Sequence, residues 1–435
     1  MRKALYSFSI KLPTPLRKRL KVIFPKMAQR VLQNTDHLNR NIQKDESNLS
    51  RVILKALIFN SMTDHAPTLK PKMAFFSPWM PSKSGIAWHA SKVVFELLKY
   101  FSVDVFVSNM DPDWLPETGV FPISFFEVMN IKHHYNFRLF NLGNGPDHAE
   151  SLQILENLSG SVILHDVRIS AVPSNYSIHP TTWRNGPYGD LGLYRLPLDA
   201  QVFVHSEHAK EMVLSDRYGK HLNVNVLGNG LPVDVVGKVR KSPPVVLGSA
   251  GFVSPVKSPE LIAVAFGLLA RSDIDLQFRF IGSCTVEYES SLTAIFNRAS
   301  RDTGTLRFIK DLDESEYWVE VEKLDLAVQL RVSTNGESSG TAIEIQSRGI
   351  PVVCTDIGSN RELPAEIFVK VRKDISPTQL AQNLRVLIAD LKQYEQRSAA
   401  GVKWAKNRIF SNYALELRDK LEEMPISTER SIRDA

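Results

Sequence analysis

The richest chemistry in this chain lies between Leu330 and Glu344, in the run LRVSTNGESSGTAIE. Ser338, Ser339, Gly340 and Thr341 are small enough to open a helix whose first, unbonded N–H groups cradle a phosphate. Glu344 falls one turn into that helix, where a carboxylate is an acceptor for the two hydroxyls of a ribose. Glu337, on the loop itself, is placed to hold sugar hydroxyls near a reacting carbon. Ser338 and Glu337 also suit plain helix capping, and the residues alone leave both readings open.

Two other loops share this texture. Gly251 to Lys257 enters a helix at Ser258-Pro259, with Ser read as N-cap and Pro in the first turn. A cation is unfavourable at the positive end of a helix, so Lys257 there suits a diphosphate, or else it is an exposed surface lysine. The loop Pro81-Ser82-Lys83-Ser84-Gly85-Ile86-Ala87 would let backbone approach a phosphate or sugar at Ser84 and Gly85. It also reads as an ordinary strand-to-helix turn, since one glycine between serines is weak evidence.

Such loops do chemistry only if regular elements hold them. From Lys72 onward short apolar runs alternate with helix-period segments: strands at Met73 to Ser77, Val103 to Val107, Phe137 to Leu142, Val162 to Leu164, Val202 to Val204 and Val224 to Val226. The text GNGLPVDVVGKVRKSPPV, from Gly228 to Val245, lacks periodicity and marks a boundary. A second series follows, with strands at Val246 to Ala250, Phe278 to Ile281, Leu306 to Ile309, Leu326 to Leu330, Val352 to Thr355 and Ile367 to Val371. Helices are expected at Ile86 to Tyr100, Pro259 to Ala270, Pro377 to Trp404 and Tyr413 to Glu423. This grammar predicts an α/β protein with two parallel, Rossmann-like sheets and right-handed crossovers, its ligands beyond the carboxyl ends of the strands. The expected organisation is a basic arm and connector at 1–70, one domain at 71–235, a second at 245–405, and a last helix at 406–435 crossing back to the first.

Bulk properties agree with a folded protein of that size. The chain has 435 residues, 43% hydrophobic and 23% charged, too long for a single comfortable core and ordinary in composition. No run of about 18 apolar residues appears, and no signal-like segment, so the expectation is a cytoplasmic protein. Cys284 and Cys354, read as buried thiols in strand-like runs, allow neither a disulfide framework nor a cysteine-rich metal site. The net charge of +6 is uneven: residues 1–30 hold nine Lys or Arg and no acid. Arg17, Lys18, Arg19 and Lys21 interleave with Leu16, Leu20, Val22 and Ile23, as in a basic helix on an anionic membrane surface. A solvated helix packed on the body is the alternative. Nucleic acid is not expected as a partner, because no basic, aromatic-interleaved surface recurs beyond residue 30.

Together these segments resemble glycosyltransferase family 4, the retaining group-1 glycosyltransferases of GT-B fold, from about Lys72 to Leu363. PWMPSKSGIAWHASKVVFELLKYFSVDVFV is similar to that family's first loop and helix. FNLGNGPDHAESLQIL, VILHD and VFVHSEHAKEMVLSDRYG resemble stretches of members that build bacterial surface polysaccharides. GSAGFVSPVKSPELIAVAF and GESSGTAIEIQSRGIPVVCTDIGSNRELP resemble the donor-binding elements, in order and spacing.

The resemblance implies a transferase moving a sugar from a nucleotide-sugar donor to a glycan or lipid-linked glycan, with retention and without a metal or other cofactor. It implies that Lys257 contacts the donor diphosphate with Gly251 beside it, and that Glu344 binds ribose. Ser339, Gly340 and Thr341 would line the phosphates, Glu337 would meet the transferred sugar, and Gly85 would face the donor phosphates. His165 resembles a histidine near the reacting sugar; a buried structural histidine is the alternative. Two positions depart from the pattern. Phe252 stands where the family has an arginine, and Glu337 and Glu344 are seven apart where eight is commoner. Arg331 is close enough in sequence to supply the missing cation. A catalytically idle GT-B scaffold binding a sugar nucleotide or glycan is the competing expectation.

Overall fold

The computed structural model describes residues 70–80, 82, 84–108, 119–173, 190–232 and 245–423. The basic arm at 1–30, the connector up to 69 and the stretch 233–244 lie outside the described residues. The described residues belong to one compact unit, built as two lobes.

The first lobe runs β1 (Lys72–Phe76), α1 (Gly85–Leu97), β2 (Ser102–Val107), β3 (Val120–Pro122), α2 (Phe126–His133), β4 (Phe137–Leu142), α3 (Ala149–Asn157), β5 (Ser161–Leu164), β6 (Gln201–Val204), α4 (Glu207–Ser215) and β7 (Asn223–Val226). Its sheet has the order β3-β2-β1-β4-β5-β6-β7, and every neighbouring pair is parallel. The second lobe runs β8 (Val245–Ala250), α5 (Pro259–Ala270), β9 (Leu276–Ile281), α6 (Val286–Ser300), β10 (Leu306–Ile309), α7 (Glu314–Val321), β11 (Leu326–Gln329), α8 (Gly340–Ser347), β12 (Val352–Thr355), β13 (Val369–Val371), α9 (Pro377–Ala389), α10 (Leu391–Ala405) and α11 (Phe410–Glu422). That sheet is also all parallel, in the order β10-β9-β8-β11-β12-β13.

Strands buried on both faces need near-continuous apolar sequence, and β4, β5, β8 and β12 have it. In the first lobe Phe76 stacks between Phe106 and Phe140, at ring separations of 5.2 and 4.3 Å. Phe266, Phe278, Phe280 and Phe296 do the same work in the second lobe. The chain then returns: Leu231 pairs with Ile409, and Phe410, Tyr413, Leu417 and Leu421 of α11 join the first lobe's core. In each sheet the strand order reverses beside the first strand, at β1/β4 and at β8/β11, which is where an open α/β sheet leaves a crevice.

Several elements differ from expectation. The strand β3 has three residues, too few to show a period, and α2, α6 and α7 are helices beyond those the sequence pattern predicts. The helix expected over Pro377 to Trp404 is two, because Asp390 leaves helical geometry and its carboxylate caps α10 at Gln393 N, 2.9 Å away. Cys354 is buried in β12, but Cys284 is only half-buried and lies in the loop after β9. Among the described residues no helix is long and apolar enough to cross a membrane.

Candidate functional site

A cleft of about 760 Å³ lies between the lobes, walled by the loops that follow β1, β5, β6, β8, β9, β10 and β11. It brings together Ser84, Gly85, His165, Gly251, Lys257, Glu337, Gly340, Thr341 and Glu344. Of the residues nominated from sequence, Arg331 and Ser339 are absent from its walls. Pro81 and Lys83 lie outside the described residues.

The loop after β8 turns at Gly251, whose φ of +89° disfavours any side chain. A Cβ there would stand 2.6 Å from Lys257 Nζ and 3.5 Å from Thr341 Oγ1, so these three residues surround one point. Ser258 precedes α5 with φ +52° and makes no capping bond with its side chain, contrary to its reading as a cap. The short 3₁₀ turn Pro255–Lys257 instead folds the lysine back, and its ammonium donates to Ala250 O at 3.4 Å. Burial, then Arg331 nearby, push this amine down to about 8. Among the described residues it is a cation with a carbonyl for company and no carboxylate.

Beside it α8 begins. Ser339 occupies its N-cap position without a side-chain bond, so the helix start faces the cleft uncapped. Glu344 lies one turn in, 9% exposed, its carboxyl pushed up to about 8, mainly by burial, against the opposing pull of Arg348. The ribose-binding carboxylate expected from sequence is therefore mostly protonated at pH 7 in the free protein, able to donate as well as accept. Its folded-state value lies above that of an unfolded glutamate, so its contribution to stability is full below about pH 4.5 and is lost as pH rises towards 8. Glu344→Gln should cancel that loss: the variant's stability advantage over the wild type grows between pH 5 and 8 at up to about 1.4 kcal/mol per unit. Urea unfolding at several pH values checks this, and a pH-independent difference would refute it.

Glu337 is held within its own loop. Its carboxylate accepts from the Arg331 guanidinium, from Thr334 Oγ1 at 3.1 Å and from Asn335 N. Arg331 is thus committed to Glu337. The next residue back, Gly336 at φ +89°, lies against Val167 of the first lobe, where a Cβ would come within 2.5 Å of Cγ2. Val167 N and Arg168 N both donate to Asn335 O, at 2.8 and 3.2 Å, so this loop bridges the lobes. Trp88 Nε1 also crosses, to Glu314, joined by Lys92 at 3.4 Å, and Glu362 accepts from Glu207 N and His208 N at the start of α4.

On the first lobe, Ser84 caps α1 by accepting from Ile86 N at 3.2 Å. A Cβ at Gly85 would meet nothing within 4 Å, so the space before α1 is open. His165 Nε2 lies 2.6 Å from Asn141 Oδ1, and its Nδ1 lies 3.2 Å from His205 Nε2. His205 Nδ1 faces Leu227 O at 3.3 Å, while Asn141 Nδ2 donates to Ser77 Oγ, which donates to Pro78 O. Neither nitrogen of His165 is free for a ligand. Burial, with the neighbouring His205, His89 and His148, holds its ring well below the usual imidazole range; His89 is down to about 3 and His205 to about 4. The cleft floor is paved with neutral imidazoles.

Sequence reasoning missed His89, His205, Asp166, Glu314 and Tyr317 on these walls. Asp166 and His205 each stand within two residues of a predicted strand end, a placement that nominates them. Glu314 and Tyr317 ride on α7, a helix that the sequence pattern does not predict.

Solved structures share this two-lobe arrangement over their whole length. Sucrose-phosphate synthase from Thermosynechococcus elongatus matches with a TM-score of 0.64 at 14% identity, over 81% of this chain and 99% of its own. HepE from Anabaena, solved with UDP and glucose, matches at 0.60 and 14%, over 81% and 100%. The fold is that of the GT-B glycosyltransferases. WaaG, a glycosyltransferase involved in lipopolysaccharide biosynthesis, shares it at 0.54 and 10% identity, over 81% and 100%. No protein-family model matches the chain, and no curated protein matches it in sequence. On the wall of this cleft Phe252, 63% exposed, stands beside Gly251.

Proposed function

We propose that this protein transfers a sugar from a nucleotide-sugar donor to a glycan or lipid-linked glycan acceptor, with retention and without a metal ion. The observation that carries the reading is Lys257, an ammonium buried in the cleft with no acid paired to it among the described residues, beside the uncapped start of α8. Those two positive ends suit a diphosphate. When the sugar–phosphate bond breaks, the sugar ring gains positive charge and the departing diphosphate negative charge. Fixed cationic groups that meet this charge as it develops lower the barrier, which is the service a metal gives other transferases.

HepE, of the same fold, has been solved with UDP and glucose, and WaaG is described as involved in lipopolysaccharide biosynthesis. The first supports a sugar nucleotide as donor, and the second a surface polysaccharide as product. The basic residues at 1–30 would hold the enzyme on an anionic membrane surface where lipid-linked acceptors reside.

A thermal-shift screen over UDP, GDP, dTDP and ADP sugars tests the reading. A true donor at a hundredfold excess over Kd stabilises by about 2.7 kcal/mol. With that donor, turnover should persist at full rate in excess chelator. No shift with any donor would remove the reading, loss of rate on chelation would remove its metal-free part, and binding without hydrolysis or transfer would favour a sugar-nucleotide-binding scaffold.

A further inference from the structure

Within the transferase reading, on which this rests, we infer that Asp166 holds the acceptor's hydroxyl in the cleft. Three polar side chains stand where the first lobe's β5 loop meets the Asn335 bridge: His165, Glu337 and Asp166. His165 has both nitrogens engaged by Asn141 and His205. Glu337 already accepts from three donors of its own loop. Asp166 differs. Its Oδ2 accepts from Asn144 N at 3.0 Å, and its Oδ1 has no partner among the described residues. That leaves one carboxylate oxygen with unspent acceptor capacity on the cleft wall, where a donor from a ligand can reach it.

Charge decides what fills it. A phosphate oxygen would be repelled by the carboxylate, and Lys257 with the start of α8 already offers the diphosphate a better place. A hydroxyl can donate. Asp166 sits on the first lobe, across the cleft from Lys257's lobe, so it can hold a hydroxyl without competing for the group that Lys257 anchors.

The facing groups set its titration. Glu337 and Arg331 face it from the second lobe, His165 precedes it on its own loop, and Asn144 N bonds it from the loop after β4; His148 Nε2 lies near the same glycine, Gly143. Burial, then Glu337, push the carboxyl up to about 6, with Asn144 N and Arg331 pulling the other way. Above pH 6 the free oxygen accepts from a hydroxyl. Below it the carboxyl is protonated, and acceptor binding weakens.

The test is Asp166→Asn in the full chain, which keeps an oxygen for Asn144 N, measured with a donor found by thermal shift and a panel of mono- and disaccharide acceptors. The acceptor KM should rise at least tenfold while the donor KM moves less than twofold, and the acid limb near pH 6 in kcat/KM for the acceptor should vanish. Asp166→Glu, which keeps the charge but displaces the oxygens, should show the same split with the acid limb retained. A donor KM that rises as much as the acceptor KM, or an acceptor KM within twofold of wild type, would overturn the assignment. Wild-type protein that turns over no donor would overturn the transferase reading itself, and the inference with it.

Discussion

Lys257→Met lowers kcat/KM for the donor by about 10²–10³, the usual cost of removing one fixed group that stabilises developing negative charge. Methionine keeps the length and apolar stem of the side chain, so the loss reports charge alone. In the free protein this amine loses its proton near pH 8, and kcat/KM reports the free protein's groups. The sign follows directly: the ammonium is the active form, so kcat/KM falls as pH rises above about 8. Lys257→Arg should move that alkaline limb out of reach, since a guanidinium stays charged. Steady-state rates from pH 6 to 9.5 check both variants. An alkaline limb that survives in Lys257→Arg would mean that another group titrates.

Glu337→Ala lowers stability by about 3 kcal/mol, because it strips the partner from a partly buried guanidinium and leaves the Asn335 amide and Thr334 hydroxyl without their acceptor. For a lobe of this size that is a fall in Tm of roughly 10 °C. Because the same loop carries Asn335 O to Val167 N and Arg168 N, the variant should also loosen the lobes and weaken donor affinity. Calorimetry with and without donor separates the two effects. The Arg331→Ala/Glu337→Ala double variant should be more stable than the sum of the single losses predicts. A Tm within 2 °C of wild type would show that this ion pair does not hold the loop.

The fold was legible because its physics is local. Apolar runs of four to six residues, each closed by a small-residue turn and followed by a helix-period segment, specify buried parallel strands, and β4, β8 and β12 came out within a residue of their bounds. The cleft loops were legible for the same reason, since they must follow strand ends. What the sequence hid was pairing. Nothing in the text of Glu337 says that its own loop would consume its oxygens, or that His165 would meet Asn141 and His205 across two other strand ends. The Lys257 environment is equally non-local: its low basicity comes from burial and from Arg331, which the fold brings beside it from the loop after β11, and no spacing rule carries that. Cys284 shows the opposite error, an apolar neighbourhood in sequence that became a loop once β9 ended at Ile281.

The row of contacts through His165 has one further property. Leu227 O at one end and Asn141 Oδ1 at the other can only accept, so the two rings must supply a hydrogen for each of three links. Two uncharged imidazoles own two hydrogens between them, one short of the number the row requires. The row closes without charge only when Asn141 turns its NH₂ towards His165 and offers its oxygen to Ser77, whose hydroxyl then swings off Pro78 O. A single hydrogen ion entering or leaving the ring pair therefore reverses an amide and rotates a hydroxyl at the end of β1, where the loop towards Ser84 and Gly85 departs.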